Sequence, residues 1–190
     1  MLQKCDKFDI ITVESQPDCQ DFRGIYEGLD GDILLNPSKG QVRSMLRAHP
    51  ERPLIINGHG TENGLLNKDW NGYTIDSRMV DMLRKRSCII GVWCYAGNFA
   101  DRYGLHGFFT SMFISTPEEA ADCGFPNATP EDITRENKLF AKRLNKLLKN
   151  DLYMCDSTPM MRDWLSKLQH KADICKGFVR YNYEAMAVYN

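Results

Sequence analysis

The sequence predicts an α/β domain built on a mostly parallel sheet, and three observations carry that prediction. Short apolar runs bounded by turn residues recur along the chain, amphipathic stretches of helical spacing separate them, and two of the runs end in glycine-flanked reactive side chains. The first is Pro53-Leu54-Ile55-Ile56-Asn57-Gly58-His59-Gly60, and the second is Cys88-Ile89-Ile90-Gly91-Val92-Trp93-Cys94-Tyr95-Ala96-Gly97. Unbroken apolar runs of this length read as strands buried on both faces, and side chains at the C-terminal ends of parallel strands gather in one crevice. His59 and Cys94 are therefore expected to face the same pocket.

The elements follow in order. Phe8-Asp9-Ile10-Ile11-Thr12-Val13 is β-branched and apolar, a first strand, and Asp32 to Asn36 is a shorter second. Ser38 reads as a helix cap, with Val42, Met45 and Leu46 at helical spacing and Pro50 as the stop before the strand at 53–57. Gly64 to Asn67 and Gly72 to Ile75 flank a polar bend and read as a small hairpin near the pocket mouth. Asp76 or Ser77 caps the next helix, in which Met79, Val80, Met82 and Leu83 precede Arg84, Lys85 and Arg86. After Cys94 come a short helix over 98–103, a buried strand from Phe108 to Ser115, and a loop over 116–128 with at most a short helix at Glu118 to Asp122. Thr129-Pro130-Glu131-Asp132 starts a long helix whose apolar face is Ile133, Phe140, Leu144, Leu147 and Leu148. Its Lys138, Lys142, Lys146 and Lys149 read as a solvated surface rather than a nucleic-acid patch. Pro159 to His170 is a further helix, and Phe178 to Tyr183 reads by alternation as a final strand.

Composition bounds the setting. At 190 residues and 43% hydrophobic content, residues 1–190 read as one domain with a sizeable core. The net charge of −1, 24 basic against 25 acidic residues, supplies no global field for nucleic acid or an anionic membrane. No stretch approaches the roughly 20 apolar residues of a membrane helix. Met1-Leu2-Gln3-Lys4-Cys5-Asp6-Lys7 lacks the apolar core of a signal peptide. Seven scattered cysteines argue for a reducing, cytoplasmic setting rather than a disulfide framework.

A thiol beside an imidazole is the usual requirement for covalent acyl transfer: the thiolate attacks and the imidazole handles the proton. Each residue has a blander role available when taken alone. A strand-end cysteine is more often a small core residue, and a histidine can simply satisfy a turn. Their pairing favours catalysis. His106, within Tyr103-Gly104-Leu105-His106-Gly107, follows the helix that carries the chain away from the strand ends and reads as a surface loop residue. His170 and Cys175, with Cys155 or Cys123, match no metal-ligand spacing. A phosphatase loop would need arginine six positions beyond the cysteine, where Ala100 stands.

An apolar strand ending His-Gly, a hairpin and helix, then an apolar strand ending Cys-x-x-Gly resembles the caspase-like cysteine peptidase clan, which includes clostripain, gingipain, legumain and bacterial CHAT-type peptidases. Histidine precedes cysteine by 35 positions, from 59 to 94, an order and separation that fit that group. Gly64 to Leu83 is similar to the turn-strand-helix of CHAT-type domains, and the detailed resemblance covers about residues 53 to 97. It implies a three-layer αβα sandwich with a mostly parallel central sheet and a cysteine endopeptidase acting on a protein or peptide. Cys94 would be the nucleophile and His59 the proton carrier, with the backbone amides of Gly60 and Cys94 as the oxyanion hole. The dyad needs no third carboxylate, and no metal or organic cofactor is implied.

Clan members that cut after basic residues often carry an acid two positions before the cysteine. Val92 stands there, so an uncharged residue is expected before the scissile bond. Ser115 and Thr116 are candidate pocket walls. Glu118, Glu119 and Asp122 read first as solvated loop charges, with Asp122 among those able to reach the pocket. A catalytically silent protein-binding domain and a small-molecule amidase or acyltransferase remain open alternatives.

Overall fold

A computed structural model describes residues 9–151, 157–174 and 177–189. In chain order, β1 (Ile10–Glu14) leads into a 3-10 helix (Pro17–Ile25), and β2 (Gly31–Leu35) into α1 (Lys39–Ala48). Ser38 caps α1 with a reciprocal bond to Gln41, as its sequence position predicts. Next come β3 (Leu54–Asn57) and three short strands, β4 (Gly60–Thr61), β5 (Gly64–Leu66) and β6 (Tyr73–Asp76). Asp76 accepts the Arg78 amide and begins a 3-10 turn that runs into α2 (Val80–Leu83). The chain continues through β7 (Ile89–Val92), α3 (Ala96–Tyr103), β8 (Gly107–Thr110), α4 (Pro117–Asp122), α5 (Pro130–Asp151), α6 (Thr158–Ile174), α7 (Gly177–Glu184) and β9 (Met186–Tyr189).

Six strands form the central sheet in the order β2-β1-β3-β7-β8-β9, all parallel except β9, which runs antiparallel to β8. The period-2 side-chain direction divides the core between two faces. Ile11, Leu54 and Ile89, in register, join Val13, Ile56 and Phe109 beneath α1, α2 and α3. Ile55, Ile90 and Phe108, also in register, join Ile10 and Val92 beneath the first 3-10 helix, α5 and α6. This mixed α/β arrangement is compatible with a three-layer sandwich. Among the described residues no helix is long and apolar enough to cross a membrane.

The expected apolar face of α5 packs inward through Ile133, Phe140, Leu144 and Leu148, while Lys138, Lys142, Lys146 and Lys149 are exposed. The expected hairpin is the β5–β6 pair of a three-stranded antiparallel sheet with β4.

Two expectations are corrected. The strand predicted from Phe108 to Ser115 ends at Thr110, and residues 111–116 follow as bends and loop before α4. Phe178 to Tyr183 is not a strand but the body of α7. Its β-branched and aromatic composition reads as extended, yet Phe178, Asn182 and Tyr183 are the buried positions, a helical spacing. Asn182 fixes that choice, bonding both the amide and the carbonyl of Ile114 at 2.8 Å. The closing strand is β9. Phe8, Cys5, Cys155 and Cys175 lie outside the described residues.

Candidate active site

The order β2-β1-β3 reverses direction at β1, so the crevice beyond the C-terminal ends of β1 and β3 is where an open parallel sheet places its ligand site. Gln16 follows β1 there and His59 follows β3. Gln16 is 1% exposed and fully occupied. Its Oε1 accepts the amide of His59 at 2.9 Å and the hydroxyl of Ser15, and its Nε2 donates to the carbonyls of Leu66 at 3.0 Å and Asn67 at 3.1 Å. Two acceptor and two donor sites are the whole capacity of a primary amide. Gly58 completes the turn: a Cβ there would stand 2.1 Å from Ser15 Oγ and 2.6 Å from Gln16 Oε1. The Gly58 amide donates to Val92 O at 3.2 Å, which ties the histidine turn to the cysteine strand.

Cys94 is set by its neighbours. Trp93 is buried, its amide donates to Thr110 Oγ1 at 3.2 Å, and its carbonyl accepts that same hydroxyl at 2.8 Å. The Trp93 indole reaches across to Thr61 O at 3.2 Å, joining the small sheet to this turn. Tyr95 then takes a left-handed backbone, φ 66°, and its amide donates to Ser111 O at 3.1 Å before α3 begins at Ala96. Bulky residues are rare at positive φ, and such strain gathers at functional sites. The half-buried thiol is thereby held at a sharp strand-to-helix turn.

His59 and Cys94 line one narrow cleft together with Cys19, Phe22, Gly58, Val92, Trp93, Phe113 and Ser115. Of the predicted pocket residues, Val92 and Ser115 are in this wall. Thr116 is instead the N-cap of α4, accepting the Glu119 amide, and Asp122 is exposed and outside the lining. The expectation that Glu119 is a solvated loop charge is overturned. Its Oε2 accepts from Ser115 N at 2.7 Å, Ser115 Oγ at 2.8 Å and Thr116 N at 3.1 Å, and its Oε1 accepts the Cys94 thiol at 3.6 Å. The thiol also donates to Phe113 O at 3.5 Å. Burial first, and then the Glu119 carboxylate, push the Cys94 thiol up to about 12.

A Cβ at Gly60 would stand 2.1 Å from Trp93 Cδ1 and 2.7 Å from Gly64 O. Glycine at 60 is required by the packing of Trp93, so a side chain there disturbs the fold beneath the site. His106 sits between α3 and β8, at the opposite end of the strands from His59, and is half-buried rather than a free surface residue. His170 lies on α6, also away from the cleft. Among the described residues no group of three or more His, Cys, Asp or Glu is placed to hold a metal ion.

Sequence reasoning passed over Gln16 and Trp70. Nothing in the sequence around Gln16 marks it except its place just beyond an apolar strand. Trp70 lies in the β5–β6 loop at φ 59°, and its ring meets that of His59 at a tilt of 37° with centroids 4.8 Å apart. No family model matches this chain, and no curated protein matches it.

Replacing the Gln16 amide by a carboxylate turns two donors into acceptors facing two carbonyls. Gln16→Glu should therefore lower the unfolding free energy by about 1–3 kcal/mol at neutral pH, read from the urea midpoint. A wild-type midpoint would show that the amide does not hold the turn. For the thiol, burial and Glu119 both disfavour the charged form, so alkylation by iodoacetamide should still be climbing at pH 10, above the roughly 8.5 of free cysteine. Glu119→Gln removes a negative charge, lowers that midpoint, and should raise the rate at pH 8 about tenfold, since one pH unit of midpoint is tenfold in thiolate. A wild-type plateau near pH 9 would overturn this account of the thiol.

Proposed function

We propose that the protein is a cysteine endopeptidase of caspase-like type, with Cys94 as nucleophile and His59 as proton carrier. The observation that carries this reading is the meeting of the two residues in one cleft at the C-terminal ends of the adjacent parallel strands β3 and β7. A high-lying thiol assigns His59 a specific task. It takes the Cys94 proton as sulfur attacks the substrate carbonyl, because a free thiolate is scarce in this environment. The tetrahedral intermediate collapses to a thioester, His59 delivers the proton to the departing amine, and water then releases the acyl group. The narrow apolar wall that includes Val92 favours an uncharged residue before the scissile bond, since an unpaired guanidinium there would be desolvated.

One observation favours a second reading, a catalytically silent domain that binds a protein. The Cys94 hydrogen bonds to Glu119 and Phe113 hold the sulfur as a protonated packing residue. A peptide-library digest followed by mass spectrometry separates the two. The peptidase reading expects cleavage that Cys94→Ala and His59→Ala each abolish, with melting temperatures within a few degrees of wild type because neither side chain carries the core. Cleavage retained by either variant removes the dyad. Absence of dyad-dependent cleavage in the wild type leaves the binding reading.

A further inference from the structure

We infer that Trp70, which lies outside the narrow cleft but against the His59 ring at its edge, is a substrate-contacting surface on the leaving-group side, selecting an apolar or aromatic residue immediately after the scissile bond. The inference rests on the peptidase reading, in which His59 passes its proton to the departing amine. The residue bearing that nitrogen must then lie against the His59 ring, and Trp70 already occupies one side of that ring at 4.8 Å. Trp70 is 55% exposed, whereas Trp93 and Trp164, the other tryptophans, are buried. A tryptophan that meets the imidazole and is still this exposed has surface left for a substrate side chain, and aromatic rings favour apolar and aromatic partners.

The backbone supports a binding rather than a packing role. Trp70 is held at φ 59°, a left-handed conformation unfavourable for a bulky residue, while glycine or asparagine would adopt it more readily. The loop is braced in that shape. Asn67 Oδ1 accepts the amides of Asp69 and Asn71, each at 3.2 Å, and the Asn67 carbonyl accepts the Trp70 amide at 3.1 Å. That carbonyl is also the one held by Gln16, the residue that accepts the His59 amide. One buried side chain therefore sets the histidine and the tryptophan in a common frame.

Two peptides that the wild type cleaves at the same bond, identical except for Phe or Gly just after it, test the inference. The wild type should favour Phe in kcat/KM, and Trp70→Ala should reduce the Phe-to-Gly ratio about tenfold, mainly through KM, while Trp70→Phe retains most of it. A purely structural disturbance of His59 would lower both peptides together and leave the ratio unchanged. An unchanged ratio in Trp70→Ala, or no wild-type preference, overturns the assignment of Trp70 while leaving the peptidase reading intact. Absence of any cleavage dependent on His59 and Cys94 overturns both.

Discussion

The side-chain amide of Gln16 is the constraint on which the site depends. Four backbone or side-chain groups converge on it, from the end of β1, the turn after β3 and the β5–β6 loop. Those segments are far apart in sequence, and the strand ladder that pairs β1 with β3 ends where these loops begin. A buried amide satisfied in all four positions costs little to desolvate and imposes direction on each partner, which an apolar contact cannot do. It fixes the peptide of His59 rather than its ring. The ring is then bounded by Trp70, whose loop the same amide holds.

The cysteine half of the cleft is built on a different principle. Trp93 is a large anchor driven into the core, bonded twice to Thr110 along its backbone and once to Thr61 through its indole. The chain cannot continue as a strand beyond it, since Tyr95 turns into the left-handed region and α3 begins at once. Cys94 thus occupies the one position between a buried anchor and a strained turn. Gly60 and Gly91 are the spaces that the Trp93 indole needs: a Cβ at either would stand 2.1 or 2.6 Å from it. Anchoring by volume on one side and by hydrogen bonds on the other brings two loops into one cleft without a shared element.

How much of this was legible follows from where each signal lies. The strands bearing His59 and Cys94 announce themselves because an apolar run and a glycine-flanked reactive residue are contiguous. The Ser38 cap and the Thr129-Pro130 helix start are equally local. Glu119 was also within reach: Thr116-Pro117-Glu118-Glu119 is a capping-box pattern, and that box places the carboxylate at the helix start beside Ser115. What it could not convey is that the free oxygen of that carboxylate meets Cys94. Gln16 and Trp70 carry no local mark, because their roles consist of partners about 50 residues away or across a hairpin. The misreading of Phe178 to Tyr183 has the same origin. Its composition favours a strand, and a single tertiary contact, Asn182 to Ile114, selects the helix.

The environment of the thiol bears on the order of chemical events. Where a thiolate is stabilised in the resting state, the nucleophile is ready and the imidazolium waits to act as an acid. Here burial and Glu119 favour the protonated thiol, so under the proposed peptidase reading attack and proton transfer to His59 are linked in one step. That linkage makes the orientation of the imidazole matter at the moment of attack as well as at departure of the amine. A histidine turn fixed by a fully bonded glutamine, with the ring bounded by an indole, suits such a demand better than a mobile loop would. The carboxylate adds a second consequence. Glu119 also caps α4 and binds Ser115, so the carboxylate that disfavours ionisation of the thiol is held in place by the same segment that lines the cleft.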